Sequence, residues 1–192
     1  MRLSPLRSRR ALLIGVVAVV VAAPVVSWSS SVFLTGNFAT VAPGVLLRSA
    51  QPDAAQLERY AREHRVRAVL NLRGEHADEA WYAEEVDASR ALGLAHFDQG
   101  LSATRELSLE EMDALVETMR AAPKPLLVHC MAGADRTSLA VALFRYAVLH
   151  EPADDARASL SLRYGHFPWL WSDTDAMDRS FERYVSSRPA RN

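Results

Sequence analysis

A cysteine and an arginine stand six positions apart in the segment 129–137, which reads HCMAGADRT. The apolar run 126–128 precedes this segment and a helical pattern over 137–149 follows it, so the segment is predicted to turn from a strand into a helix. Backbone N–H groups and the positive end of a helix dipole converge at such a turn, where they bind anions. A cysteine placed there is favoured in its nucleophilic thiolate form.

The spacing predicts a role in anion binding for each position of the loop. The five residues between Cys130 and Arg136 can curl with their amides inward as an anion-binding nest, and the planar guanidinium of Arg136 can hold two phosphate oxygens. Gly133 tolerates a positive φ or a close approach of the backbone to the anion. Thr137 can offer its hydroxyl to the thiol. The predicted phosphate-binding residues are Met131, Ala132, Gly133, Ala134, Asp135 and Arg136.

The motif His-Cys-x-x-Gly-x-x-Arg-Thr resembles the phosphate-binding loop of cysteine-based protein tyrosine and dual-specificity phosphatases. Further segments are similar to a bacterial branch of small, membrane-attached dual-specificity-type phosphatases: 37–52 (NFATVAPGVLLRSAQP), 69–75 (VLNLRGE), 102–107 (SATREL) and 160–184. The resemblance covers nearly the whole chain from about Asn37 onward. It implies that Cys130 is the nucleophile, that Arg136 binds the phosphoryl group, and that His129 holds the loop and favours the thiolate.

Phosphoryl transfer also needs a carboxyl group that protonates the leaving oxygen and later activates water. Asp98 follows a strand-like run and lies 32 positions before Cys130, a spacing similar to that of the general acid in dual-specificity phosphatases. The sequence Asp98-Gln99-Gly100 is also typical of a turn. Asp135, inside the loop, is the alternative, either as the acid or as a partner that stabilises the loop.

Other interpretations fit parts of the pattern. A single cysteine is often a buried structural residue, but five matched positions after a strand favour catalysis here. A rhodanese-type sulfurtransferase also carries a cysteine loop, usually without the closing arginine and hydroxyl. A catalytically weak phosphate-binding module is the remaining alternative, if no acid reaches the pocket.

The composition limits the function classes. The chain has 192 residues and a formal net charge of −1, so it lacks the basic footprint of a nucleic-acid-binding protein. Cys130 is the only cysteine, which excludes an internal disulfide, and no Cys/His cluster has zinc-ligand spacing. The predicted chemistry therefore requires no metal and no cofactor.

The first 28 residues have the pattern of a membrane segment. Four arginines precede an almost purely aliphatic stretch over 11–26, and no charged residue occurs between Arg10 and Arg48. We expect a single transmembrane anchor over 1–28 in a bacterial inner membrane, with the catalytic domain outside the cytoplasm because basic residues stay on the cytoplasmic side. Export followed by signal cleavage is the alternative. Residues 29–40 are predicted to be a linker, and 41–192 the phosphatase domain.

The body of the chain alternates strands with helices. Strands are predicted over about 67–72, 94–98 and 126–129, after an edge segment that ends at 49–52; helices are predicted over about 54–63, 79–92, 108–121, 137–149, 154–162 and 173–187. This order indicates an α/β fold of the tyrosine/dual-specificity phosphatase type, with a central, mostly parallel sheet flanked by helices. Arg73, Asp98 and Cys130 each follow a strand, so one crevice is expected to contain them.

Together these features predict a phosphomonoester hydrolase of the protein tyrosine/dual-specificity type that acts through a cysteinyl-phosphate intermediate. The loop interior has no lysine, which favours a singly phosphorylated substrate, a phosphoprotein or a small phosphomonoester. Phosphorylated lipid, inositol or glycan substrates are the alternative. The aromatic segment 163–171 is expected either to line the pocket or to cover the core or face a membrane.

Overall fold

The computed structural model describes residues 34–168 and 173–188. The predicted anchor over 1–28 lies outside these residues and stays a prediction. Within the described residues, no helix has both the length and the apolar character needed to cross a bilayer. The folded unit starts at Gly36, so the last five positions of the predicted linker, 36–40, belong to it, and the last two of these lie in the first strand, which begins at Ala39.

Five strands and six α-helices make up the described part of the fold. The strands are β1 (Ala39–Ala42), β2 (Leu46–Ser49), β3 (Ala68–Asn71), β4 (Ala95–Asp98) and β5 (Leu126–His129). The helices are α1 (Ala54–His64), α2 (Ala80–Ala91), α3 (Leu109–Ala121), α4 (Asp135–Ala147), α5 (Ala153–Arg157) and α6 (Asp175–Ser187). A 3₁₀ turn, Leu162–Tyr164, lies between α5 and α6.

The strands form one mixed sheet in the order β1-β2-β5-β3-β4. The four strands β2 to β5 are parallel, as predicted, and β1 is antiparallel to β2. The edge segment predicted to end at 49–52 is a hairpin of two strands, in which β1 is the edge strand and β2 lies between β1 and β5. The central strand β5 carries the cysteine loop at its carboxyl end.

Both faces of the sheet are buried. Leu126 and Val128 of β5 pack into one cluster with Leu139 and Phe144 of α4, whereas Leu127 packs into the cluster on the opposite face. This alternation is the period-two geometry of a strand that is covered on both sides. Most of α4 is buried, because its small and apolar residues face the sheet as well as α3 and α6.

The helix after the cysteine loop begins two residues earlier than predicted. It starts at Asp135 instead of Thr137, and the amide of Ser138 already donates to the carbonyl of Ala134 over 2.9 Å. An acidic residue in the first turn is favoured by the helix dipole, which explains the earlier start. The helix predicted over 154–162 is α5, which is shorter than predicted and ends at Arg157.

A buried histidine ties this helix start to α6. His166, only 1% exposed, contacts Asp135 Oδ1 through Nδ1 over 2.7 Å and Asp178 Oδ2 through Nε2 over 2.8 Å. Burial alone would lower the pKa of His166, but the hydrogen bonds to Asp135 and Asp178 outweigh it and raise the pKa to about 9. His166 is therefore a cation at neutral pH and links two carboxylates.

This ion triplet predicts a pH-dependent stability. Since the pKa of His166 is raised from 6.5 to about 9, its contribution is complete below about pH 6.5 and is lost as the pH rises through 9. His166→Gln should lower the free energy of unfolding on the order of 2 kcal/mol at pH 6, and much less at pH 10. Urea unfolding at both pH values measures this difference.

The exposed His150, at φ 58°, provides the control, because Asn tolerates this conformation. His150→Asn should leave the pH dependence close to that of the wild type. An equal loss of stability in His166→Gln at pH 6 and pH 10 would contradict the charged triplet.

Candidate active site

The loop after β5 brings the predicted phosphate-binding residues into one tight turn. Cys130 is buried, with 3% of its surface exposed, and Gly133 adopts a φ of +68°. A Cβ atom on Gly133 would lie 2.6 Å from the carbonyl oxygen of Ser49 and 2.7 Å from the amide nitrogen of Ala50. Glycine is thus required here both for its positive φ and for the close approach of the segment after β2.

Three donors from the amino-terminal part of the fold hold three consecutive loop carbonyls. The amide of Gln51 donates to Met131 O over 3.1 Å, Asn37 Nδ2 donates to Ala132 O over 2.9 Å, and Arg48 Nη2 donates to Gly133 O over 2.6 Å.

With its carbonyls turned toward these donors, the loop keeps its amides free. The amides of residues 131–134 donate no hydrogen bond to any group of the described residues. Amides without an acceptor in the protein are available to a bound anion, and these amides follow directly after Cys130. They meet the condition for the nest that the spacing predicts, and phosphate binding by these residues stays a prediction.

Two guanidinium groups lie at the carboxyl end of β3. Arg136 Nη1 donates to the carbonyl oxygens of Leu72 and Leu101, over 3.3 Å each. Arg73 lies 3.4 Å above the ring of Trp81. Desolvation and the nearby charge of Arg136 lower the pKa of Arg73, whereas Glu85 acts in the opposite direction. The two arginines are thus neighbours at this end of the sheet, and the crevice expected to contain Arg73, Asp98 and Cys130 stays a prediction.

A fully buried carboxylate contacts two residues that adjoin the cysteine loop, His129 and Gln51. Oε2 of Glu85, on α2, lies 3.1 Å from His129 Nε2, and Oε1 lies 2.7 Å from His96 Nε2. The backbone N–H of Gln51 donates to Met131 O, and its side-chain Nε2 donates to Glu85. Burial would raise the pKa of Glu85, but the contacts with His129 and His96 hold it at about 2. Glu85 therefore stays ionised and fixes the residue that precedes Cys130.

Asp98 lies at the end of β4, at the level of the loop. In the register of the sheet, Asn71 pairs with both Asp98 and His129, so two strand spacings, about 10 Å, separate the backbones of Asp98 and His129. Asp98 Oδ1 accepts from Asn71 Nδ2 over 2.8 Å, and Oδ2 accepts from Tyr82 OH over 2.6 Å. Burial and the Asp98 carboxylate raise the pKa of Tyr82, which thus remains a neutral donor.

Asp135 forms an ion pair, whereas Thr137 lacks the contact that was expected for it. Asp135 binds the buried His166 and so takes part in holding α6, one of the two roles expected for it. The Thr137 hydroxyl is buried and makes no hydrogen bond within the described residues, so the expected bond to Cys130 is not formed in this structure. Among the described residues, no three His, Cys, Asp or Glu side chains are grouped so that they could hold a metal ion.

Several residues of the site were not identified from the sequence. They are Asn37, Arg48, Gln51, Glu85, His96 and His166. A signal existed for the first three, because they belong to the segment 37–52 that resembles the phosphatase family. No signal marks Glu85, since it stands in a helix beside Glu84, which is exposed.

The close contact at Gly133 predicts a specific loss. Gly133→Ala should lower the free energy of unfolding by about 1–3 kcal/mol more than Gly44→Ala or Gly93→Ala, because all three glycines have positive φ but only Gly133 meets backbone atoms. Urea unfolding measures the stability, and calorimetric titration measures the binding of inorganic phosphate, which should weaken in Gly133→Ala alone. Equal effects of the three substitutions would contradict the close packing of the loop.

Comparisons with known proteins agree with this geometry. Residues 30–168, well over half of the chain, match the family model PTP-NADK, described as a DSP-PTPase phosphatase fused to NAD+ kinase. A comparison with curated proteins returned no match.

Solved structures share the fold. TpbA of P. aeruginosa, in complex with pTyr, is 24% identical with a TM-score of 0.56, and the match covers 81% of this chain and 85% of that chain. PTPMT1 is 17% identical with a TM-score of 0.59, covering 81% and 99% of the two chains. The catalytic domain of the PP-IP phosphatase SIW14 of S. cerevisiae is 20% identical with a TM-score of 0.59, covering 79% and 91%. The chain therefore belongs to the DSP-PTPase family of cysteine-based phosphatases.

Proposed function

We propose that this phosphatase hydrolyses phosphate monoesters through a phosphoryl group carried on Cys130. The observation that carries the proposal is the loop itself, in which three carbonyls are held by outside donors and the amides next to Cys130 are free. Such a nest stabilises the charge on the transferring phosphoryl group without rearrangement during the reaction.

The reaction proceeds in two displacements. In the first, the Cys130 sulfur attacks phosphorus, the bond to the ester oxygen breaks, and Asp98 gives its proton to the leaving oxygen. In the second, Asp98 takes a proton from a water molecule that attacks phosphorus, and the phosphorus–sulfur bond breaks to release phosphate. Arg136 and the loop amides hold the non-bridging oxygens in both steps.

Asp98 is preferred over Asp135 as the acid because of their partners. Asp135 is bound by the charged His166 and thereby serves to attach α6. Asp98 accepts hydrogen bonds from the neutral donors Asn71 and Tyr82, which can hold its carboxyl group in either protonation state. His96 Nδ1 lies farther away, 3.4 Å from Asp98 Oδ2, and makes no hydrogen bond to it. Asp98 also lies at the carboxyl end of the parallel strands, where ligands bind in open α/β sheets.

The substrate is proposed to be a phosphoprotein or a small phosphomonoester. The lack of lysine in the loop favours a single phosphate, but Arg73 places a second guanidinium beside Arg136 that the loop sequence alone does not show. Substrates with an additional anionic group, such as phosphorylated lipids or inositols, are thus the second candidate. Among similar structures, TpbA is complexed with pTyr and PTPMT1 with PI(5)P.

The nucleophile can be tested directly. Cys130→Ser should reduce hydrolysis of para-nitrophenyl phosphate to background, because the serine hydroxyl is not ionised at neutral pH. Rapid acid quenching of the wild type followed by intact mass spectrometry should show one added phosphoryl group that is absent from Cys130→Ser. Binding of phosphate esters without turnover by the wild type would instead favour the phosphate-binding module.

The acid can be tested through the leaving group. Asp98→Asn should lower kcat by about 10²–10⁴ for phenyl phosphate, whose leaving group needs a proton, and far less for para-nitrophenyl phosphate. Asp135→Asn serves as the matched control and should show no such dependence on the leaving group. If Asp135→Asn shows it and Asp98→Asn does not, the assignment passes to Asp135.

A further inference from the structure

A polar cavity lies outside the cysteine loop. It has a volume of about 260 Å³ and lies between the β1 edge, α4 and the segment that follows α5. Neither Cys130 nor Arg136 lines it. Its polar lining includes Arg48, Arg145, Arg163, Thr40, Ser159 and Ser161.

Arg48 is the unusual member of this lining. Its side chain is completely buried, and Nη2 makes both of its hydrogen bonds, to Gly133 O and, over 3.0 Å, to Ser138 Oγ. Nε and Nη1 are buried without a hydrogen-bond partner among the described residues. Desolvation lowers the pKa of Arg48 to about 10, opposed by the charges of Tyr164 and Cys130. A buried cation with free donors is costly unless an anion accompanies it.

The neighbouring groups leave the cavity positively charged. Arg163 is exposed, and no carboxylate of the described residues lies within ion-pair distance of it or of Arg48. Both guanidinium groups lie near the ring of Tyr164, at 3.7 Å for Arg48 and 5.4 Å for Arg163. Arg145 is the one paired cation, because Glu151 lies 2.6 Å away. Three guanidinium groups thus face a single carboxylate.

We propose that this cavity binds a small oxyanion, with inorganic phosphate as the representative ligand, at a site distinct from the catalytic loop. Its volume lies below the range of about 300–1,000 Å³ typical of pockets for drug-sized ligands, which suits a phosphate group. Guanidinium groups and hydroxyls are the donors that phosphate prefers. The anion is stabilised by Arg48 and Arg163.

The site communicates with the catalytic loop through Arg48. Arg48 is buried, so it acts on the anion through its charge, and its guanidinium also donates to Gly133 O. An anion that offsets the buried charge of Arg48 therefore also stabilises its hold on the loop. Resting on the proposed function, this makes the product phosphate, or an oxyanion of the surroundings, a regulator of the loop's order. Binding itself depends only on the cavity and does not require hydrolysis.

Calorimetric titration of the full-length protein with inorganic phosphate tests the proposal. The wild type should bind at two sites, and Arg136→Ala, which removes the catalytic guanidinium, should keep one. Adding Arg163→Gln to Arg136→Ala should weaken this remaining binding about 10-fold or more, the usual effect of removing a charge-assisted hydrogen bond. If Arg136→Ala does not fold, Arg163→Gln in the wild-type background should leave one site of two.

Arg59→Gln provides the matched control. Arg59 is also exposed and lies 5.5 Å from the ring of the adjacent Tyr60, but it does not line the cavity. Its substitution should not change either site. A single site in the wild type, binding in the tens of millimolar only, or equal effects of Arg163→Gln and Arg59→Gln would overturn the proposal. Phosphate binding that depends on Arg163 in a protein without phosphatase activity would retain this site while contradicting the proposed function.

Discussion

The structure of the site depends on how the carbonyl groups of the cysteine loop are held. A short loop between a strand and a helix can present either its carbonyls or its amides to a ligand, and only the amides stabilise an anion. Asn37, Arg48 and Gln51 bind the carbonyls of residues 131–133 and so leave the amides for the ligand. These donors come from the chain segment around β1 and β2, so the loop depends on the pairing of β2 with β5.

Buried charged side chains also hold the cysteine loop in place. Glu85 fixes His129 and Gln51 behind the loop, and its low pKa keeps it ionised throughout the working pH range. Arg48 holds the loop by donating a hydrogen bond to the carbonyl oxygen of Gly133. Breaking such a buried interaction on one side is costly, because the remaining group stays desolvated. The order of the loop is therefore maintained by buried ionic groups.

The sequence was sufficient to predict the central part of this fold. The bounds of β5 and the parallel arrangement of β2 to β5 follow from apolar runs and from the alternation of strands and helices. The position of β1 could not be predicted in the same way, because 39–42 is short and its pairing with β2 is a tertiary contact. The roles of Glu85 and His166 also depend on partners far along the chain, and no local pattern distinguishes a buried ion from an exposed one.

In the proposed function, the amides next to Cys130 and the guanidinium of Arg136 form the phosphate-binding site. A crystal structure of Cys130→Ser with a bound phosphate ester would locate the phosphate group. We expect the phosphorus beside residue 130, with its oxygens accepting from the amides of 131–136 and from the Arg136 guanidinium, and the carbonyls of 131–133 still bound to Asn37, Arg48 and Gln51. A phosphate group bound elsewhere, or loop carbonyls turned toward the ligand, would contradict the account.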